Sequence, residues 1–164
     1  MNIILIGMPG CGKSTAGVVL AKRLGYDFLD ADLLIQQREG RLLQQIIDND
    51  GDHALLKAEE EALCSIDCDN TVIATGGSAV YSEKGMAHLK QKGTAIHISL
   101  PVEELYSRLG NLATRGVAGA ANQTIEQIFV SRAPLYNKWA DVTVDALGMT
   151  IGELTDKIIE SLDK

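Results

Sequence analysis

Short apolar runs alternate with amphipathic stretches along the 164 residues of the chain. Five of the apolar runs predict β-strands, at residues 2–6, 27–29, 71–75, 94–99 and 141–144. Apolar side chains at helical spacing predict α-helices at residues 13–24, 32–38, 42–49, 53–66, 83–92, 101–109, 124–139 and 151–162. Pro101 is placed in the first turn of its helix, a position that tolerates proline. Strands that alternate with helices predict an α/β fold whose parallel sheet is covered on both faces.

One stretch departs from this alternation. Residues 110–122, GNLATRGVAGAAN, are rich in glycine and alanine and carry one arginine, Arg115. A connection of this length without regular structure is typical of a functional loop. We therefore expect one domain over residues 1–164 with a mobile lid at about 110–122.

Composition and charge narrow the class of protein. Hydrophobic residues make up 46% of the chain and charged residues 23%, which is typical of a globular protein. The net charge of −7 argues against a nucleic-acid partner, because binding to a phosphate backbone needs a basic face. No apolar run approaches the ~20 residues of a membrane span, and no signal-peptide pattern is present. The three cysteines, Cys11, Cys64 and Cys68, are an odd number, which favours reduced thiols in the cytoplasm.

The strongest motif lies between the first strand and the first helix. Residues 7–14, GMPGCGKS, match the phosphate-binding pattern G-x-x-x-x-G-K-[ST] without a mismatch. In this motif backbone N–H groups surround the β-phosphate, Lys13 reaches the β- and γ-phosphates, and the Ser14 hydroxyl binds Mg²⁺. The sequence contains no N-K-x-D-like motif, with which GTPases recognise guanine. The chain is also shorter than a motor protein requires. A small-molecule kinase is favoured, because a lid would exclude water from the transferred phosphate.

On five segments in order, the chain resembles the shikimate kinase family of the nucleoside-monophosphate-kinase-like P-loop group. The segments are GMPGCGKST at 7–15, FLDAD at 28–32, ATGGSAV at 74–80, RLGNLATR at 108–115 and SRAPLYNKWAD at 131–141. The resemblance implies a three-layer P-loop kinase fold with a five-stranded parallel sheet in the order 2-3-1-4-5, flanked by helices. It also implies acceptor-binding helices at about 31–66, a monomer, and transfer of the γ-phosphate of ATP to a hydroxyl of shikimate with Mg²⁺.

The resemblance implies a role for each matched residue. The nucleotide would be bound by Gly10, Cys11, Gly12, Lys13, Ser14, Thr15, Arg108 and Arg115, with Arg108 against the adenine. Lys13, Asp32 and Arg115 would be catalytic, Arg115 closing over the transferred phosphoryl group and Asp32 acting on the acceptor hydroxyl as base or orienting group. The acceptor would be bound by Asp32, Gly76, Gly77 and Arg132, with Arg132 on its carboxylate. Ser14 and, through water, Asp30 would hold Mg²⁺. Either Asp30 or Asp32 is also a candidate N-cap of the next helix.

The resemblance breaks down in the segment GDHALLKAEEEAL, residues 51–63. The family pattern G-E-x-x-F-R-x-x-E places arginine, a second ligand of the acceptor carboxylate, where this chain has Leu56. Ser78 replaces the third glycine of the family, and Gly116 replaces the proline after the lid arginine. Three hypotheses stay open: a shikimate kinase with a weaker acceptor site, a paralogue for another small hydroxylated acceptor, and a catalytically weak nucleotide-binding protein. Retention of Lys13, Ser14, Asp32 and Arg115 argues against the third.

Overall fold

The computed structural model describes residues 1–110 and 116–162. Five strands form one parallel sheet: β1 (Asn2–Ile6), β2 (Asp27–Asp30), β3 (Thr71–Ala74), β4 (Gly93–Ser99) and β5 (Val142–Asp145). The strand order is β2-β3-β1-β4-β5, which confirms the predicted sheet. β1 lies at the centre, where Ile4 pairs with Ile73 of β3 on one side and with Ala95 of β4 on the other. Every residue of β1 and β3 is buried, as expected for central strands covered on both faces.

Eight α-helices flank the sheet within the described residues: α1 (Lys13–Leu24), α2 (Ala31–Glu39), α3 (Leu43–Asp50), α4 (Asp52–Ser65), α5 (Glu83–Lys90), α6 (Val102–Leu109), α7 (Ile125–Trp139) and α8 (Ile151–Leu162). α1 packs against β1, β2, β3 and α8, whereas α5 and α7 pack against β4. α2 and α3 pack on α4 and build a second, smaller apolar cluster beside the main core. None of the described helices is both long and apolar enough to cross a membrane.

The predicted helices are all present, with differences of one or two residues at their starts and ends. α2 begins at Ala31, one residue early, because the Asp30 carboxylate caps it by accepting the N–H groups of Asp32 and Leu33. α6 begins at Val102, so Pro101 is the residue before the helix and not part of its first turn. A short 3₁₀ helix, Ala79–Tyr81, follows β3 and was not predicted, because three residues are too few for a periodic pattern.

Candidate active site

The carboxyl ends of β1, β2 and β3 open into a cavity of about 480 Å³. Parallel strands commonly place ligands at this edge of a sheet. The cavity brings together most of the residues predicted from the sequence: Gly10, Gly12, Lys13, Ser14, Thr15, Asp32, Gly76, Gly77, Arg108 and Arg132. Helices α2, α3 and α4 contribute an apolar wall of Ile35, Leu43 and Leu55. The phosphate-binding loop and the predicted acceptor residues therefore share one space.

The phosphate-binding loop has the backbone shape that its glycines predict. Gly10 and Gly12 adopt positive φ angles of 80° and 98°, which favour glycine over residues with a side chain. Gly12 precedes α1, and no side chain accepts a hydrogen bond from the first N–H groups of this helix as a cap. The Lys13 ammonium is buried and donates to the carbonyl oxygens of Gly7 at 2.8 Å and Met8 at 2.9 Å. A cation and a helix N-terminus thus meet at the loop, an arrangement suited to phosphate.

Ser14 and Asp30 bring two side-chain oxygens together beside the loop. The Ser14 hydroxyl donates to Asp30 Oδ2 at 2.6 Å, while Oδ1 of the same carboxylate caps α2. Of the two candidate N-caps, the structure therefore uses Asp30. Mg²⁺ prefers oxygen ligands and takes few of them from the protein, since waters and substrate phosphates supply the rest. Two protein oxygens, those of Ser14 and Asp30, fit this mode of binding.

Asp32 lies at the start of α2 and faces the cavity beside Gly76. A Cβ atom built on Gly76 would lie 2.8 Å from Asp32 Oδ1 and 2.4 Å from Oε1 of Glu59. Any side chain at position 76 would therefore displace two carboxylates, which explains why glycine is needed here. Burial and the charge of Asp30 raise the pKa of Asp32, while the Lys13 ammonium acts in the opposite direction. A carboxylate with a raised pKa is a better proton acceptor, so Asp32 suits the predicted role of base.

Glu59 of α4 also lines the cavity, although the sequence motifs did not predict it as a site residue. Its side chain is only 2% exposed, and burial raises its pKa to about 7. The Ser78 hydroxyl donates to Glu59 Oε2 at 2.6 Å and opposes this rise, as do the charges of Arg132 and Lys13. A signal was available in the sequence, because Glu59 occupies the buried face of α4 between Leu55 and Ala62. A carboxylate on the apolar face of a helix is uncommon without a partner.

Arg132 of α7 provides the second buried cation. It is only 1% exposed, and its Nη2 donates to the carbonyl oxygen of Ala118 at 3.0 Å. Its guanidinium also lies over the Tyr81 ring, 5.5 Å from the centroid. Among the described residues, its buried Nε and Nη1 have no hydrogen-bond partner. A buried guanidinium with unpartnered N–H donors is suited to an anionic ligand such as a carboxylate.

The segment after β3 is tied to α7 and carries the glycine pair. Tyr136 donates its hydroxyl to the carbonyl oxygen of Gly77 at 2.6 Å, and Trp139 donates to that of Val80 at 3.1 Å. A Cβ atom on Gly77 would lie 2.8 Å from Arg132 Nη1 and 2.7 Å from Pro9 Cδ. The absence of a side chain at position 77 therefore allows the phosphate loop, the post-β3 segment and Arg132 to approach one another.

Residues 116–122 of the predicted lid pack against the apolar wall that α2, α3 and α4 contribute to the cavity. Gly116 donates its N–H to Gln44 Oε1 at 2.9 Å, and Ala118 is buried in the small cluster with Leu43 and Leu55. Arg115 lies outside the described residues, so its predicted role stays a prediction, as does the mobility of the lid.

Arg108 and Cys11, both predicted to bind the nucleotide, lie in different surroundings. Arg108 lines the cavity, and its Nε donates to Glu104 Oε1 at 3.1 Å within α6. Cys11 does not line the cavity within the described part of the chain, and its side chain is buried in the core beneath the loop. A contact between Cys11 and a nucleotide would therefore involve its backbone.

Comparison with known proteins identifies the family. The family model described as "Shikimate kinase" matches residues 9–163. The shikimate kinase of Thermodesulfovibrio yellowstonii is 33% identical over 166 residues, covering 99% of this chain and 95% of the relative. Shikimate kinase from Acinetobacter baumannii in complex with shikimate has a TM-score of 0.88 at 30% identity, covering 98% of this chain and 92% of that one. Shikimate kinase from Aquifex aeolicus has a TM-score of 0.86 at 32% identity, covering 99% and 96%.

Proposed function

This chain belongs to the shikimate kinase family, and we propose that it transfers the γ-phosphate of ATP to a hydroxyl of shikimate. The observation that carries the proposal is the shared cavity, in which the phosphate-binding loop, the Asp32 carboxylate and the unpartnered N–H groups of Arg132 meet. Phosphoryl transfer depends mainly on positioning and on charge stabilisation, and these three elements supply both.

We propose that the nucleotide is bound on the loop side, where the N–H groups of α1 and the Lys13 ammonium receive the phosphates. Lys13 would exchange its bonds to the loop carbonyls for bonds to phosphate oxygens. Ser14 and Asp30 would hold Mg²⁺, which when bound neutralises charge on the phosphates. Arg108 would lie against the adenine, and Arg115 would meet the transferred phosphoryl group.

On the opposite side of the cavity, Arg132 would bind the acceptor carboxylate through its unpartnered N–H groups. Asp32 would then accept the proton of the reacting hydroxyl or orient it, and Gly76 and Gly77 would allow the acceptor to lie against the backbone. The A. baumannii relative, a complex with shikimate, supports this choice of acceptor.

A second candidate is a related kinase that phosphorylates a different small hydroxylated acceptor. Leu56 supports it, because this position carries arginine in the family pattern and leucine offers no donor to a carboxylate. In the structure Leu55 lines the cavity, whereas Leu56 packs against the small apolar cluster. Arg132 would then be the main cation for an acceptor with less negative charge.

The test is coupled ATP turnover by the purified protein against shikimate and a panel of small polyols and hydroxy acids, with and without Mg²⁺. We expect Mg²⁺-dependent turnover with shikimate. Turnover with another member of the panel and none with shikimate would favour the second candidate. ATP binding without turnover of any member would refute both.

A further inference from the structure

Ser78 is the residue of the cavity whose side chain has no counterpart in the family pattern, where a third glycine is expected. Its hydroxyl is nearly buried and donates to Glu59 Oε2 at 2.6 Å. A hydrogen bond this short from a hydroxyl to a carboxylate is of the strong, charge-assisted type. The bond joins the segment after β3 to α4 inside the cavity, and therefore fixes the orientation of the Glu59 side chain.

The second oxygen of Glu59 is left available by this arrangement. Oε1 lies beside Gly76, where a Cβ atom would approach it to 2.4 Å, and Asp32 Oδ1 lies 2.8 Å from the same point. Among the residues that the structure describes, Ser78 is the one hydrogen-bond donor to the Glu59 carboxylate. Glu59 thus presents a free acceptor atom next to the carboxylate proposed to act on the reacting hydroxyl.

The charges around Glu59 come from three helices and act on its pKa in both directions. Asp32 of α2 disfavours its ionised form, while Lys13 of α1 and Arg132 of α7 favour it. α3 and α5 also pack on α4, and the buried side chains that they contribute, Leu43 and Met86 among them, are apolar. The Ser78 hydroxyl is the strongest of the influences that oppose the effect of burial.

We propose that Ser78 is a positioning residue, whose hydroxyl favours the ionised form of Glu59 and leaves its Oε1 open to the cavity, where it accepts a hydrogen bond from a second hydroxyl of the acceptor. The inference rests on the proposed function and adds to it a requirement for particular groups on the acceptor. The acceptor would carry one hydroxyl at Asp32, a neighbouring one at Glu59, and an anionic group at Arg132.

The first experiment needs no acceptor. A carbon-13 NMR titration of the Glu59 carboxyl, assigned with Glu59→Gln, gives its pKa in the wild type, in Ser78→Ala and in Ser78→Thr. We expect a midpoint near 7 in the wild type and an increase of about one pH unit in Ser78→Ala, because the stabilising hydrogen bond is lost. Ser78→Thr retains the hydroxyl and should titrate like the wild type. An unchanged midpoint in Ser78→Ala would overturn the proposal.

The second experiment follows the KM for shikimate against pH. A pKa one unit higher leaves about one tenth of Glu59 ionised at pH 7, against about one half in the wild type, so KM should rise about fivefold. At pH 9 both proteins should have nearly the same KM, since Glu59 is ionised in each. The kcat should change little at either pH. A KM increase of the same size at both pH values would mean that the effect does not act through ionisation of Glu59.

A double-mutant cycle and a matched control complete the design. In a Glu59→Gln background, Ser78→Ala should change KM by less than about twofold, because Ser78 acts through Glu59. Additive effects would overturn the proposal. Ser82→Ala is the control, since its hydroxyl donates to Glu60 Oε2 at the same distance, 2.6 Å, and neither residue lines the cavity within the described part of the chain. It should leave the shikimate KM unchanged at both pH values.

Thermal unfolding and ATP affinity, measured on every variant, separate misfolding from an effect on the acceptor. If the wild type does not phosphorylate shikimate, the proposed function fails, and the NMR titration still decides the role of Ser78. If shikimate is phosphorylated and Ser78→Ala matches the wild type in both experiments, the inference alone fails.

Discussion

Replacing Leu56 with arginine separates the two candidate functions by the sign of its effect. Leu56 is partly buried on α4 and packs against the small apolar cluster, while its neighbour Leu55 lines the cavity. Glu59 follows one helical turn later, with Oε2 bonded to Ser78. A long side chain at position 56 would leave the cluster and could extend along α4 towards the acceptor side of the cavity.

The expected size of the effect follows from one added charge-assisted hydrogen bond. Such a bond contributes about 1.5–3 kcal/mol, so the KM for shikimate should fall by about 10- to 100-fold if the guanidinium reaches the carboxylate. Removing the leucine should cost about 1 kcal/mol of folding stability, because part of its apolar surface is buried. For an acceptor without a carboxylate, the new cation would gain no partner from the acceptor, and the KM should rise.

The assay compares shikimate KM and kcat for the wild type, Leu56→Arg, Leu56→Met and the double variant Leu56→Arg, Glu59→Gln. Leu56→Met is the matched control, because it keeps the apolar packing and adds no charge. The double variant removes the carboxylate that would otherwise pair with the new arginine one turn away. If neither arginine variant changes the KM for shikimate relative to Leu56→Met, position 56 does not reach the acceptor. Our account of the weakened site is then wrong.

Three further predictions test the rest of the cavity. Lys13→Ala should abolish phosphoryl transfer, because its ammonium balances charge on the transferred group, and a kcat near the wild-type value would exclude this role. Gly76→Ala should raise the acceptor KM at least about tenfold, since its methyl group would overlap Glu59 Oε1 and Asp32 Oδ1, while ATP affinity stays unchanged. In urea unfolding, the free energy of unfolding of the wild type should fall by up to about 3 kcal/mol as the pH rises from 4.5, the ordinary pKa of Glu59, to about 7, its pKa in the folded protein. The reason is that the folded protein holds the proton more tightly than the unfolded chain. Glu59→Gln should not show this loss. If the free energy of unfolding of Glu59→Gln differs from that of the wild type by the same amount at pH 5 and at pH 8, the assignment of the raised pKa to Glu59 is wrong.

The sequence predicted the elements better than it predicted the partners of individual side chains. Strand and helix order follow from apolar periodicity, and the phosphate loop follows from a motif whose glycines and lysine have one structural use. Asp30 illustrates the limit. It was predicted as a metal ligand or a helix cap, and in the structure one oxygen caps α2 while the other binds Ser14. A pattern of residues cannot show that two oxygens of one carboxylate have different partners.

Glu59 was missed for a related reason. Its burial and its contact with Ser78 arise from the approach of α4 to the segment after β3. Those residues are 19 positions apart in the chain, and spacing alone does not bring them together. Tyr81, which lies over Arg132, belongs to a 3₁₀ turn too short to predict.

Two of the departures from the family pattern, Leu56 and Ser78, are related to Glu59: Leu56 lies one helical turn before it, and Ser78 donates to its carboxylate. An arginine at position 56 would stand one helical turn before Glu59, close enough to pair with it. In this chain that position is apolar, and a hydroxyl from the opposite segment donates to Glu59 instead. A neutral donor lowers the pKa of a carboxyl less than a cation does, which agrees with a pKa that remains near 7. With Ser78 as the partner of Glu59 in place of an arginine at position 56, acceptor recognition would therefore depend on the protonation of Glu59. A variant that combines Leu56→Arg with Ser78→Gly should restore a Glu59 that stays ionised throughout the neutral pH range.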